Sequence, residues 1–274
     1  MALLRVGSSH SNSQASTIKS YSEIPIRLQN KVTNLVDISA ILTIMPSVYY
    51  QRNFYPTCYY HIYNRGAHQR LLFHDARDYN TFTQILRYYL LHPVGTPPSI
   101  INRRQNKVTN LVEKTSIPAQ LPYRLLAYCL MPNHFHLMLQ QVDEKITISN
   151  LMRRLSIGYA MYYNSRYHHS GTILQGRYKN ILIENEMQWL YLTKYIHRNP
   201  AHNKQSYELC NQDLAHYPYS SYQNYLGTRS EDWVKTSDVL SRYGNNPYEE
   251  YREFVQDSDP GPIKRLTLDC NELQ

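Results

Sequence analysis

The chain has 274 residues, 42% apolar and 18% charged, with 27 Tyr, 12 His, 4 Cys and a net charge of +8. Such a composition suits one or two folded domains with a sizeable core and excludes wholesale disorder. The longest apolar stretches, such as 38–50, are broken by Ser, Thr and Pro and fall short of a bilayer span, and the opening apolar run, interrupted by Arg5, reads as no secretory signal.

Residues 1–44 open Ser-rich and aperiodic and are expected to be a disordered leader. They contain QNKVTNLV at 29–36, which recurs letter for letter at 105–112. One identical octapeptide with unrelated flanks reads as a repeated DNA element translated twice, not as a structural repeat. The second copy lies in 93–120, a stretch begun by Pro and Gly that is expected to be an inserted loop. A principal domain is expected over 45–227, followed by a small, acidic, helical extension over 228–274.

Within the principal domain the pattern is orderly. Residues 57–64 (TCYYHIYN) are β-branched and aromatic and predict a strand. Residues 75–91 carry Tyr79, Phe82, Leu86 and Leu90 at helical spacing and stop before Pro93, predicting a helix. Strands are expected over 123–130 and 134–140, joined across Met131, Pro132 and Asn133. A second helix is expected over 150–164, with Leu151, Leu155, Tyr159 and Tyr162 on one face and Ser149 as its cap. A short strand over 178–184 and a third helix over 187–198, opened by Asn185 and closed by Asn199-Pro200, follow. An aromatic loop (217–225) and two short helices near 237–242 and 247–256 end the pattern.

This order predicts an α+β fold of ferredoxin-like plan: a four-stranded antiparallel sheet (βαββαβ) with helices on one face and an extra C-terminal helix. The other face is expected to be open for a ligand, with that extra helix available to close over it.

His134 and His136 lie two apart in the third strand of this plan, so both imidazoles share a face while Phe135, Leu137 and Leu139 point into the core. Such a pair can grip a divalent ion, although about 0.5 His-x-His pairs arise by chance at this composition, and the spacing alone fits two packed histidines equally well. On the last helix Tyr191, Tyr195 and Asn199 share a face, apart from an apolar stripe of Trp189, Leu192 and Ile196. A tyrosine hydroxyl and an amide oxygen facing two imidazoles would supply a nucleophile beside a metal shell.

Four motifs together, MPNHFHLM (131–138), YIHRNP (195–200), YHIYNRG (60–66) and QGRYK (175–179), resemble the HUH single-tyrosine, IS200-like transposases, and among them the REP-associated tyrosine transposases. The likeness covers about 45–225. It implies cleavage of single-stranded DNA at or near short palindromic hairpins, giving a 5′-phosphotyrosine and a free 3′-hydroxyl. It further implies Tyr195 as nucleophile and Mg2+ or Mn2+ held by His134, His136 and Asn199, where many relatives carry Gln in place of the Asn. Relatives act as monomers or as homodimers that exchange tyrosine helices. A replication-initiator-type nickase and a catalytically inactive, RRM-like DNA-binding relative are the competing readings.

Charge agrees with a polyanion partner. Residues 51–200 carry 18 basic and 7 acidic side chains, whereas 201–274 carry 7 and 12. Arg65, Arg153, Arg154, Arg177 and Lys179, interleaved with Tyr and His, are the candidates for binding single-stranded or hairpin DNA. No membrane partner is expected. Cys58, Cys129, Cys210 and Cys270 form no CxxC pair, which argues against a disulfide scaffold and for the cytoplasm, with association to the bacterial nucleoid through DNA.

Overall fold

The computed structural model describes residues 52–94, 101–102, 107–108, 117–202, 214–257 and 259, all within a contact unit that begins at Arg52. The leader and its octapeptide lie outside these residues, as does most of the second copy. The strands are β1 (Tyr59–Arg65), β2 (Ile101–Asn102), β3 (Lys107–Val108), β4 (Tyr123–Met131), β5 (His134–Gln141) and β6 (Lys179–Ile183). The helices are α1 (Ala76–Leu91), α2 (Ile148–Arg166), α3 (Glu186–His202), α4 (Tyr222–Tyr225), α5 (Ser237–Leu240) and α6 (Pro247–Gln256). The main sheet has the order β4-β5-β1-β6 with every pairing antiparallel, which is the ferredoxin-like arrangement the element order predicted. The region 93–120 is more than a loop, because β2 and β3 pair within it as a small antiparallel ladder.

Strand alternation divides the sheet between two cores. Tyr60 and Ile62 of β1 and Phe135, Leu137 and Leu139 of β5 meet α1 and α2 in the first core. There the predicted helix faces, Tyr79, Phe82, Leu86 and Leu90 with Leu151, Leu155, Tyr159 and Tyr162, are all buried. Asp75 starts α1, its carboxylate accepting from the backbone N–H groups of Arg77 (3.0 Å) and Asp78 (3.2 Å). Helix α2 starts earlier than its sequence suggested. Thr147 precedes it without a side-chain cap, and the Ile148 N–H donates instead to the Gln141 side-chain oxygen at 2.8 Å. Ser149, expected as the cap, lies inside the helix and meets the Tyr178 hydroxyl at 2.9 Å.

The second sheet face is not left open. Trp189, Leu192 and Ile196 of α3 pack on Ala127, Cys129 and Met138, and Tyr222, Tyr225, Val239, Tyr251 and Val255 complete this second core. Asn185 stands just before helix α3, its side-chain oxygen accepting the Gln188 N–H at 2.9 Å, and the helix continues through Pro200 where the sequence suggested a stop. The edge of β4 is covered as well: Leu130 N–H donates to Tyr219 O, Ser221 N–H to Tyr128 O and Lys235 N–H to Leu125 O, at 2.8–3.0 Å. No helix among the described residues is long and apolar enough to cross a membrane.

Candidate functional site

The second face carries a polar patch between β1, β5 and α3. Antiparallel register sets Tyr63 opposite His136 and Arg65 opposite His134. The turn before β5 is held from outside: Gly66 N–H donates to Asn133 O at 2.7 Å, and Leu72 and Phe73 N–H groups donate to Pro132 O at 2.8 and 3.0 Å. A side chain at Gly66 would run into the Arg70 carbonyl, so this loop can close on the turn only with glycine.

Both histidines of the pair are buried and aim toward α3. His134 Nδ1 lies 2.6 Å from the Asn133 side-chain oxygen and donates its proton there. That leaves a lone pair on Nε2, which faces Asn199 Oδ1 at 3.3 Å, while the Asn199 Nδ2 group donates back to Tyr195 O at 3.2 Å. His136 Nδ1 lies 3.0 Å from His61 Nε2, and its own Nε2 is buried with no hydrogen-bond partner among the described residues. Burial holds His134 down to about 4, helped by the Arg65 charge and opposed by Asn199. Burial, with the imidazoles of His134 and His61 beside it, holds His136 well below its ordinary value. Both rings are therefore neutral at physiological pH and available as ligands.

Two acceptors facing each other and an orphaned buried nitrogen are unfavourable as they stand, and a cation between them would satisfy all three. The residues therefore fit a divalent ion. Among the described residues no three His, Cys, Asp or Glu side chains are grouped to hold a metal, so the third protein donor would be the Asn199 amide oxygen.

Tyr195 is half-buried against the same patch, its ring edge-on to His136 at a centroid distance of 5.5 Å and to His61 at 6.0 Å. Tyr191 is elsewhere: its ring lies edge-on to Phe254 at 5.2 Å and its hydroxyl donates to Asp259 at 3.1 Å. The predicted basic residues separate into two groups. Arg65 ends β1 opposite His134 and holds Gln175, Lys179 Nζ stands 6.0 Å from the Tyr63 ring centroid, and Arg177 is exposed two residues before Lys179. Arg153 and Arg154 lie on α2, across the sheet from the histidines. Arg153 is exposed, whereas Arg154 is buried, donates to His92 O (2.9 Å) and Pro93 O (2.6 Å), and lies over the Tyr89 ring. Arg154 thus closes the end of α1 and is not free to meet DNA. Sequence reasoning gave no role to His61 and Tyr63, although their alternation with Arg65 along β1 is the signal that could have set them on the histidine face.

Comparison with known proteins adds a family. Residues 100–199 match the family described as transposase IS200 like, a stretch that includes His134, His136, Tyr195 and Asn199 and leaves β1 outside. This bears out the resemblance read from the motifs. A solved structure of a REP-associated tyrosine transposase bound to a REP hairpin is similar over 68% of this chain and 96% of its own, with 14% identity and a TM-score of 0.41. No curated protein matches the chain.

Proposed function

We propose that the IS200-like transposase segment of this chain works as a single-strand DNA endonuclease and strand transferase, with Tyr195 as its nucleophile. The observation that carries this reading is the convergence of four groups from two elements: Tyr195 against His136, and Asn199, one helical turn further on, against His134. One rigid helix would deliver both the attacking oxygen and a metal donor, so their relative position is fixed before DNA arrives.

In the reaction the Tyr195 hydroxyl oxygen attacks phosphorus. The tyrosyl O–P bond forms, the bond from phosphorus to the 3′-oxygen breaks, the phenol gives up its proton and the departing 3′-oxygen gains one. The products are a 5′-phosphotyrosine and a free 3′-hydroxyl. The tyrosyl ester conserves the diester, so a second 3′-hydroxyl can reverse the step without ATP. His134, His136 and Asn199 would hold Mg2+ or Mn2+, which supplies charge stabilisation to the scissile phosphate and leaving oxygen. With two neutral imidazoles and an amide as its protein donors, such an ion keeps its full positive charge for the phosphate. Arg65 and Lys179, at the same end of the sheet, would bind the backbone on either side. Tyr63, fully buried with its ring stacked on His136 at 5.9 Å, would keep that imidazole in place.

The test is incubation of the full chain with single-stranded oligonucleotides bearing short palindromic hairpins and Mn2+, with mass spectrometry of any covalent product. A nucleotide ester on Tyr195 is expected, and none from His134→Ala. Binding without any adduct would make the chain an inactive relative, and an adduct on another tyrosine would move the nucleophile.

A further inference from the structure

We infer that His61 is a positioning residue for this site: its Nε2 accepts the proton on His136 Nδ1 and so presents the His136 Nε2 lone pair to the cation. The inference rests on the proposed metal reading and deepens it.

The two atoms are 3.0 Å apart, and both rings are fully buried. Of the two ways to place the shared proton, one puts it on His61 Nε2. His136 would then carry its own proton on Nε2, a buried donor that has the Asn199 amide beside it but makes no hydrogen bond among the described residues. The other puts it on His136 Nδ1, and the buried Nε2 is then a lone pair, which only a cation needs. Metal-ligating histidines commonly give their second N–H to an acceptor behind them, which fixes ring orientation as well as tautomer. His134 has such a partner in the Asn133 side-chain oxygen at 2.6 Å. His136 has none but His61. The His61 ring is itself wedged, stacked on His136 at 5.2 Å and tilted against Tyr63 at 4.8 Å, so it cannot swing away. Its station on β1 also couples the site to a strand outside the family-matched stretch.

The experiment measures Mn2+ binding to the full chain by calorimetry and by Mn2+ paramagnetic resonance, in the absence of DNA. His61→Gln retains an acceptor near the Nε2 position and is expected to stay within about threefold of the parent, whereas His61→Leu, which packs but cannot accept, should lose affinity by about 10–100-fold. A purely packing role predicts the reverse order, because Leu fills an apolar site better than Gln. Long-range nitrogen–proton NMR of the unsubstituted, metal-free chain gives an independent readout: protonated Nδ1 and bare Nε2 on His136 are expected. Equal Mn2+ affinity in both variants, or a His136 proton on Nε2, would overturn the inference. A His136→Ala chain that binds Mn2+ like the parent would instead overturn the metal reading beneath it.

Discussion

Tyr195 and Tyr191 are one helical turn apart, yet the structure gives them different surroundings, and this separates their expected behaviour. Tyr195→Phe should lose all covalent adduct while DNA binding persists; Tyr191→Phe, which gives up only a hydrogen bond to Asp259, should retain most of the activity in the same adduct assay. Along β5 the contrast is between chemistry and packing. His134→Ala should leave the melting curve near that of the parent, whereas Phe135→Ala, which empties a fully buried ring site between Phe82 and its neighbours, should cost about 3–5 kcal/mol in denaturant unfolding. His197, two residues past Tyr195, tests the pH dependence. Burial and the Arg229 charge push it down to about 3, and it is held between Tyr251 Oη (2.7 Å) and Ser221 Oγ (2.8 Å). Its folded value lies below its unfolded value of about 6.5, so the unfolded chain binds the extra proton. The stabilisation is complete above about pH 6.5 and drains away as pH falls from there toward 3. His197→Gln should flatten the slope of stability against pH between about 4 and 6 by about 1.4 kcal/mol per unit, measured by urea unfolding at each pH. None of this was legible for His197, because an isolated histidine in a helix carries no mark of the elements that will bury it.

At the scale of elements, period and alternation identified the helices and strands of the main sheet to within a few residues, since their apolar spacing agrees with what each one buries. The misses share a cause: a partner distant in sequence did the work expected of a neighbour. The N-terminus of α2 is satisfied by Gln141 from the preceding strand, so Ser149 was the wrong cap. Helix α3 passes Pro200 because its length is gripped by the second core, and tertiary packing outweighs the loss of one backbone hydrogen bond. Arg154 looked like a DNA contact beside Arg153, yet burial turns it into the cap of α1. The pair gives a direct comparison. Arg154→Ala should cost about 2–3 kcal/mol, as expected for a charged donor removed from two buried carbonyls, whereas Arg153→Ala should change stability by less than about 0.5 kcal/mol. Thermal melts of the two variants decide it, and equal effects would mean that the Arg154 contacts carry no net stability.

For the whole molecule, the high tyrosine content turns out to be core material with polar handles. Tyr123, Tyr159, Tyr217 and Tyr225 are packed among apolar side chains and donate to the carbonyls of Tyr89, Leu72, Leu130 and Leu126. Reading Tyr217 and Tyr225 as parts of an aromatic loop hid the second core, and with it the reason the sheet has no open face. It also hid how α3 is held. Arg198 donates to the backbone carbonyls of Val255, Gln256 and Asp257 at the end of α6, Lys194 pairs with Asp257 at 3.5 Å, and His197 meets Tyr251. The helix that bears Tyr195 is therefore braced by residues beyond 228, which the charge shift had suggested were an appendage. Removing 228–274 would strip fully buried Val239, Tyr251 and Val255 from the second core. At about 2–5 kcal/mol for each large buried side chain, that loss matches or exceeds the roughly 5–15 kcal/mol that keeps a domain folded. The leader is the opposite case, since the described residues that build the two cores all lie after 52. A chain beginning at Met45 should melt cooperatively within a few degrees of the full chain and form the same adduct. One ending at residue 227 should lose its cooperative transition and bind hydrophobic dyes. If the shortened chain instead kept the parent melting temperature and adduct yield, the brace on α3 would have to lie within the sheet alone.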